Sequence, residues 1–234
     1  MLVFISFLTL LAAQLMCFAG AAVLETRDLE ARQSQSGRMT FYGGNVQGGA
    51  CSFSTYTLPA GIYGTALSGA NWNSAANCGG CIQVHGPNGK TITAMIVDEC
   101  PECPTNALDL FQNAFSQLAD PSVGVLNNVG WTYVPCPTSI GKLQIHMKSG
   151  VSQYWFSAQV VNGRRRTDKL EVSVDGGKTW LQTTRQTYNF FEISSGIGAT
   201  TATIRVTSKT GTTVTVSNVP MQGDAVVTAS SNYA

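Results

Sequence analysis

The placement of the cysteines most restricts what this 234-residue chain can fold into. Six of the seven cysteines lie between residues 51 and 136, and none follows. An even number of cysteines in an exported protein indicates a disulfide framework. We therefore expect a cross-linked region, followed by a region that folds around a hydrophobic core alone. The six are Cys51, Cys78, Cys81, Cys100, Cys103 and Cys136.

The first residues indicate export. Residues 1–19 are almost entirely apolar and are followed by the small residues Gly20, Ala21 and Ala22, the pattern of a secretory signal peptide. We assign residues 1–21 to that signal rather than to a membrane anchor, because the apolar stretch is barely long enough to span a bilayer. The polar residues 22–36 are predicted to be a propeptide or flexible arm. The mature protein is expected to be secreted, extracellular and without a membrane partner.

Two Cys-x-x-Cys pairs, at residues 78–81 and 100–103, also have the spacing of a zinc ribbon. Export argues against zinc, because an oxidising compartment converts such cysteines to disulfides. A four-cysteine zinc site also leaves Cys51 and Cys136 without a role. We expect disulfides, no metal and no cofactor, and six cysteines permit fifteen pairings.

Charge divides the chain near residue 137. Residues 37–137 carry two basic and five acidic side chains, a net charge of −3, whereas residues 138–234 carry ten basic and five acidic ones, a net charge of +5. With the confinement of the cysteines, this shift predicts two domains, 37–137 and 142–234, joined by a linker at 138–141. The overall net charge of +1 argues against a nucleic-acid partner.

Alternating apolar and polar residues predict strands in both regions. In the first region we expect strands at 82–85, 91–97 and 130–134. One helix is predicted there, from apolar residues at helical spacing: Leu108, Phe111, Phe115 and Leu118. The second region predicts a β-sandwich, with a hairpin turn at residues 175–177. Its expected strands are 143–147, 170–174, 203–206 and 213–217.

Residues that could carry chemistry are few. No Gly-x-Ser-x-Gly, His-Glu-x-x-His or phosphate-binding loop occurs. The two histidines, His85 and His146, each stand alone in a predicted strand and are interpreted as structural. Carboxylates remain: Asp98 follows an apolar strand, and Asp109 opens the predicted helix. Either the two face one groove, or Asp109 stabilises a helix N-terminus and Asp98 a turn.

Short motifs along the chain, from Gly37-Arg-Met-Thr40-Phe-Tyr-Gly43 and Gly48-Gly-Ala-Cys51 to Ile96-Val-Asp98 and Ala107-Leu-Asp-Leu110, resemble those of expansins. The microbial expansin-like proteins, including the fungal loosenin-related group, show the same combination. The resemblance extends from about residue 37 to near the C-terminus. It implies an all-β fold: a six-stranded double-psi β-barrel followed by an Ig-like β-sandwich similar to the expansin-type carbohydrate-binding module.

The resemblance also implies roles for residues of the barrel. An Asp in a Leu-Asp-Leu context, here Asp109, is the residue on which loosening depends, and the matching residues Thr40 and Asp98 lie beside it in an open polysaccharide groove. Where bacterial relatives have a groove Tyr this sequence has Cys100, and the nearby Tyr42 is expected to contribute an aromatic ring instead. The disulfides implied by the resemblance are Cys51–Cys78, Cys81–Cys136 and Cys100–Cys103.

In the second domain the resemblance implies an aromatic binding surface of Tyr154, Trp155 and Tyr188, with Lys148 beside it. Flat aromatic rings stack on the apolar faces of glucose rings. Neighbouring side chains of a regular strand point to opposite faces, so Tyr154 and Trp155 share a surface only if a bend precedes the strand. The basic run 164–166 is interpreted as a solvated loop, or as a contact for acidic wall polymers.

The main enzymatic alternative is a family-45 endoglucanase, which shares the barrel and inverts with one acid and one base. Asp109 is then the acid, but residues 37–97 contain no Asp or Glu, and Thr40 stands where the base is expected. We therefore expect a monomeric, non-catalytic protein that binds cellulose, xyloglucan or a related glucan and disrupts non-covalent contacts between chains. A pure binding or host-signalling protein is the other alternative, and chitin and pectin remain open as ligands.

Overall fold

The computed structural model describes residues 34–234. The predicted signal peptide and most of the predicted arm therefore lie outside the described residues. Gln35 and Ser36, at the end of that arm, belong instead to the first strand, where they pair with Trp131 and Gly130. Within residues 34–234, no helix has both the length and the apolar character needed to cross a bilayer.

The first six strands form a closed barrel. They are β1 (Gln35–Tyr42), β2 (Ile62–Ser68), β3 (Cys81–His85), β4 (Thr91–Cys100), β5 (Leu108–Phe111) and β6 (Leu126–Val134). Their order around the barrel is β1-β5-β2-β4-β3-β6. The pairs β1–β5 and β2–β4 are parallel, and the other four pairs are antiparallel. Alternation within β5 buries Leu108 and Leu110 completely and leaves Asp109 on the outer face.

The helix is shorter than its sequence pattern predicts. Helix α1 spans Gln112–Leu118, whereas Leu108 and Phe111 lie in β5. The prediction was wrong for these two because β5 hydrogen-bonds to a strand on each side and replaces the first helical turn. The buried face of α1 still rests on the barrel: the rings of Phe115 and Phe41 are 4.8 Å apart between centroids.

The remaining strands form two sheets around a second hydrophobic cluster, so the all-β architecture is confirmed. We refer to this two-sheet region as the sandwich. Its strands are β7 (Gln144–Met147), β8 (Phe156–Val161), β9 (Thr167–Ser173), β10 (Leu181–Gln182), β11 (Thr184–Arg185), β12 (Phe191–Ile193), β13 (Thr201–Ser208), β14 (Thr213–Pro220) and β15 (Val226–Thr228). One sheet has the order β10-β9-β13-β14 and the other β11-β12-β8-β7-β15.

The segment between the barrel and the sandwich is packed rather than extended. A 3₁₀ turn spans Thr138–Ile140, within the predicted linker, and Ile140 is buried in the barrel's hydrophobic cluster. That cluster contains a single buried residue from the sandwich, Val161, among the described residues. The sandwich cluster begins at Leu143.

Polar contacts join the barrel to the sandwich. The backbone carbonyl of Cys51 accepts hydrogen bonds from the side-chain amides of Gln159, at 2.8 Å, and Asn189, at 3.2 Å. The indole of Trp72 donates to the backbone carbonyl of Thr187 at 3.2 Å. Because these bonds involve buried side chains, they hold the barrel and the sandwich in a defined relation.

The basic run 164–166 belongs to the same junction, and its interpretation as a solvated loop is corrected. Arg164 donates to the carbonyl of Cys136 at 3.1 Å. Arg166 donates to Asn77 Oδ1 at 2.6 Å, and its guanidinium lies 3.7 Å from the ring centroid of Tyr133. A planar guanidinium can donate in a fork and stack on an aromatic ring at once, which explains why arginines occupy this interface.

The structure contains the three disulfides that the resemblance implies: Cys51–Cys78, Cys81–Cys136 and Cys100–Cys103. Cys78 and Cys81 belong to different bridges, so the zinc-ribbon spacing is coincidental. The third bridge closes the turn directly after β4, where the Cys103 amide donates to the Cys100 carbonyl. This bridge stabilises the chain between Asp98 on β4 and Asp109 on β5.

Candidate functional site

Three of the predicted site residues and one alanine form one row across the outside of the barrel. Thr40 on β1 is in register with Asp109 on β5, Asp109 with Ala66 on β2, and Ala66 with Asp98 on β4. Neighbouring strands lie about 4.8 Å apart, so the two carboxylate-bearing residues are separated by about 10 Å across Ala66. We call Thr40, Asp109, Ala66 and Asp98 the acidic row.

A β-bulge puts Asp98 into this row. The register of β2 with β4 shifts between Thr65 and Ala66, so that Thr65 pairs with Ile96 and Ala66 pairs with Asp98. With regular pairing and no bulge, Ala66 would pair with the apolar Val97 instead. Bulges commonly redirect a side chain in this way beside functional sites.

The Asp98 carboxylate is occupied by donors from the protein itself. Its Oδ1 accepts from the backbone amides of Ala50 at 2.7 Å and Glu99 at 2.9 Å, and its Oδ2 accepts from the Tyr42 hydroxyl at 3.0 Å. Burial, followed by the neighbouring Asp98, raises the pKa of the Tyr42 hydroxyl, so this group remains a donor at all working pH values. Three donors make Asp98 an anchor for the loop after β1 and for the Tyr42 ring.

Asp109 has a different environment. Thr40 donates its hydroxyl to Asp109 Oδ1 at 2.5 Å, and the carboxyl group is half-buried. Burial raises the pKa of Asp109 above its ordinary value of 3.8, although the hydrogen bond from Thr40 acts in the opposite direction. Of the weaker influences, Glu102 raises this pKa and Arg38 lowers it. Asp109 is therefore a partly desolvated carboxylate, with lone pairs left for a ligand hydroxyl.

Asp109→Asn is expected to increase the free energy of unfolding more at neutral than at acidic pH. Ionisation of a carboxyl with a raised folded-state pKa is less favourable in the folded chain than in the unfolded chain, so its contribution to wild-type stability falls as pH rises through that window. Because Asn does not ionise, the variant does not lose this stability as the pH rises. Denaturant unfolding of both proteins at about pH 3 and about pH 7 measures the difference. Equal differences at the two pH values would contradict the expectation.

The sandwich places Tyr154 and Trp155 at a tight turn rather than within a strand. Ser152 and Trp155 exchange backbone hydrogen bonds at 3.1 and 3.2 Å, and β8 begins only at Phe156. Tyr154 lies at the tip of this turn with 72% of its surface exposed, while Trp155 is partly packed on the sandwich core. This turn is the bend that two adjacent surface aromatics require.

Tyr188, in the connection between β11 and β12, lies close to Lys148, which directly follows β7. The ammonium group of Lys148 lies 5.5 Å from the ring centroid of Tyr188. The Tyr188 hydroxyl donates to Glu192 Oε1 at 2.7 Å, and Glu192 also accepts from Ser157. These contacts fix the ring beside the junction, because the adjacent Thr187 carbonyl is the one that accepts from Trp72.

The sequence did not reveal two parts of this arrangement. Ala66 lies between the two carboxylates of the row, yet a single alanine in an apolar strand carries no chemical signal. Glu99 adds a third carboxylate next to Asp98, and burial raises its pKa, with Asp98 contributing. Its position directly after Asp98 in the sequence was the available clue.

Comparison with known proteins shows the family. The chain is 30% identical over 224 residues to Expansin-YoaJ of Bacillus subtilis, an alignment that covers 93% of this chain and 91% of that protein. It is also 30% identical over 167 residues to Expansin-like protein 5 of Dictyostelium discoideum, covering 68% of this chain and 69% of that protein. No family model matches the sequence. On the strength of these alignments, the chain belongs to the expansin family.

Solved structures agree with this assignment. The crystal structure of an expansin from Clavibacter michiganensis without ligand superimposes with a TM-score of 0.76 at 30% identity, covering 86% of this chain and 98% of that one. A mutant of the same expansin, solved in complex with cellohexaose, superimposes with a TM-score of 0.77 at 29% identity and the same coverage. The similarity therefore includes both the barrel and the sandwich.

Proposed function

We propose that this protein is a secreted, non-hydrolytic loosening protein of plant cell walls. It binds cellulose or a related glucan and disrupts non-covalent contacts between chains. Family membership and the cellohexaose complex of the Clavibacter expansin support this function. Within the family, the motifs quoted above support a place among the microbial, loosenin-related members.

The observation that carries the proposal is the unequal state of the two carboxylates in the acidic row. An inverting glycosidase needs a second carboxylate free to activate water, at roughly 6.5–9.5 Å from the acid. The backbones of Asp98 and Asp109 are about 10 Å apart, near that range. Three donors, however, already use three of about four lone-pair sites of the Asp98 carboxylate. The Thr40 hydroxyl donates a hydrogen bond to Asp109, and a threonine hydroxyl cannot act as a general base at neutral pH. One available carboxylate suits hydrogen bonding to a sugar hydroxyl better than hydrolysis.

We further propose the domain organisation that suits this function. Residues 37–137 form a barrel of the double-psi type, 138–141 a linker, and 142–234 an Ig-like module of the expansin carbohydrate-binding type. The barrel and the sandwich each have a hydrophobic cluster, which supports this division. Adsorption through Tyr154, Trp155, Tyr188 and Lys148 holds a monomer on the polymer, while the acidic row contacts a single chain.

Creep of a heat-inactivated plant wall strip under constant load tests the proposal, with the bath assayed for reducing sugar. Extension with a sugar-free bath supports loosening. Extension with sugar accumulating in the bath instead indicates an endoglucanase of the family-45 type. Adsorption without extension favours the binding or host-signalling alternative.

Tyr154→Ala is expected to weaken adsorption to microcrystalline cellulose about fivefold or more. A stacked aromatic ring contributes about 1 kcal/mol beyond the area it buries, and this ring has few protein contacts to lose. Adsorption isotherms give the ratio of binding constants. Tyr154→Phe is the matched control, because it keeps the ring, and it should bind like the wild type. If the Ala and Phe variants bind equally well, Tyr154 is not part of the adsorbing surface.

A further inference from the structure

The barrel carries a pocket outside the acidic row. It has a volume of about 750 Å³ and is bounded by residues 44–47, residues 54–64 and the β5–α1 connection. Ligand sites commonly measure about 300–1,000 Å³, so this pocket has the size of a binding site.

The lining of the pocket is uncharged. Among residues 34–234, no Asp, Glu, Lys, Arg or His lines it, although the nearby acidic row carries two carboxylates. Its aromatic members can stack on the apolar faces of pyranose rings, and its amides can exchange hydrogen bonds with sugar hydroxyls. A charged polymer gains no ion pair here, so the chemistry favours a neutral sugar. The residues that supply these groups are Tyr56, Tyr63, Asn45, Gln47 and Asn113, while the largely buried Phe111 forms the inner wall.

Phe111 connects the pocket to the acidic row. It lies two residues beyond Asp109 on β5, and therefore on the same outer face. Its ring meets that of Tyr42 edge-on, with 5.6 Å between centroids, and a cavity of about 490 Å³ between Tyr42 and α1 shares Phe111 and Asn113 with the pocket. A saccharide that crosses the row past Tyr42 therefore reaches the pocket.

Two glycines make room for the rings of Tyr42 and Phe111. A Cβ atom at Gly44 would lie 2.2 Å from Cζ of Tyr42, and one at Gly64 would lie 2.3 Å from Cε2 of Phe111. Any other residue at either position would displace a ring. The sequence is thus adapted to keep both rings between the row and the pocket.

We infer that this pocket is a second saccharide site of the barrel, which takes neutral pyranose units of the polymer that crosses the acidic row. The inference rests on the proposed function. The units come either from the continuing backbone of a linear glucan or from a neutral side branch, and these two sources have the same chemistry.

Amide chemical-shift titration of the full mature protein tests the site, with cellohexaose as the linear probe and a xyloglucan-derived oligosaccharide as the branched probe. We expect the amides of Gln47 and Thr57 to shift with at least one probe. If both probes shift these amides, the pocket binds the backbone of the glucan. If only the branched probe shifts them, the pocket binds the side branch. Asn113→Trp, at an exposed position of α1, should fill the pocket. The affinity for the probe, obtained from the titration of these amides, should then fall about tenfold or more. Gln117→Trp, on the same helix but outside the lining, should not.

The outcomes separate this inference from the proposed function. If sandwich amides such as that of Tyr154 respond while the pocket amides do not, the pocket is no saccharide site and the proposed function is unaffected. Equal effects of Asn113→Trp and Gln117→Trp also overturn the inference. If no amide of the protein responds to either probe, both proposals fail.

Discussion

Asp109→Asn is expected to reduce wall creep at least about tenfold while adsorption and fold are retained. The carboxylate of Asp109 is the more available hydrogen-bond acceptor of the acidic row, since it accepts from Thr40 whereas Asp98 already accepts from three donors and has about one lone-pair site left. A hydrogen bond to a charged group contributes about 1.5–3 kcal/mol, which corresponds to about tenfold or more in an equilibrium constant. Asn has the same shape but lacks the charge. The rate of extension under constant load, at equal adsorbed protein, measures the loss.

The matched control is Asp224→Asn. Asp224 is exposed, lies in the sandwich and has a φ of 61°, a left-handed conformation that Asn adopts as readily as Asp. This variant should extend walls like the wild type. Thr40→Val tests the same site from the other side, because it removes the hydroxyl that orients the Asp109 carboxylate. Wild-type creep by Asp109→Asn would show that the row is not where loosening occurs.

Strands, and the presence of disulfides, could be predicted from local signals. Alternation of apolar and polar residues marked β3, β4 and β6, and the observed strands extend one or more residues beyond the predicted ends. The family resemblance, rather than the spacing of the cysteines, supplied the pairing that the structure contains. The predicted position of the β5–α1 boundary was wrong, because i, i+3 spacing of apolar residues fits both a short strand and a helix until the neighbouring strands are known.

The geometry of the site could not be predicted, because it depends on register. Asp98 and Asp109 come together only through Ala66, which pairs with both, and only because a bulge shifts β4 by one residue. A one-residue shift moves every following side chain to the other face of a strand. Likewise, the role of the basic run 164–166 depended on the carbonyl of Cys136 and the ring of Tyr133, which are distant in sequence.

The second large effect is expected on stability, and it should follow the length of chain that each disulfide closes. The bridges Cys81–Cys136, Cys51–Cys78 and Cys100–Cys103 span 55, 27 and 3 residues. From loop-closure entropy in the unfolded chain, replacing each pair by alanines should lower the free energy of unfolding by about 4, about 3.5 and about 1.5 kcal/mol. Denaturant unfolding of the three double variants gives these differences.

The three double variants are controls for one another, because all six cysteines are almost completely buried and each pair loses the same two sulfur atoms. Cavity effects should therefore be similar, so the order of the losses reports the unfolded chain. A loss for the Cys100–Cys103 pair as large as that for Cys81–Cys136 would show that the native state depends on the short bridge. Since the turn that this bridge closes follows Asp98 and precedes Asp109, such a result would mean that the bridge holds the two carboxylate-bearing strands in register, and wall creep by that variant should then fall as well.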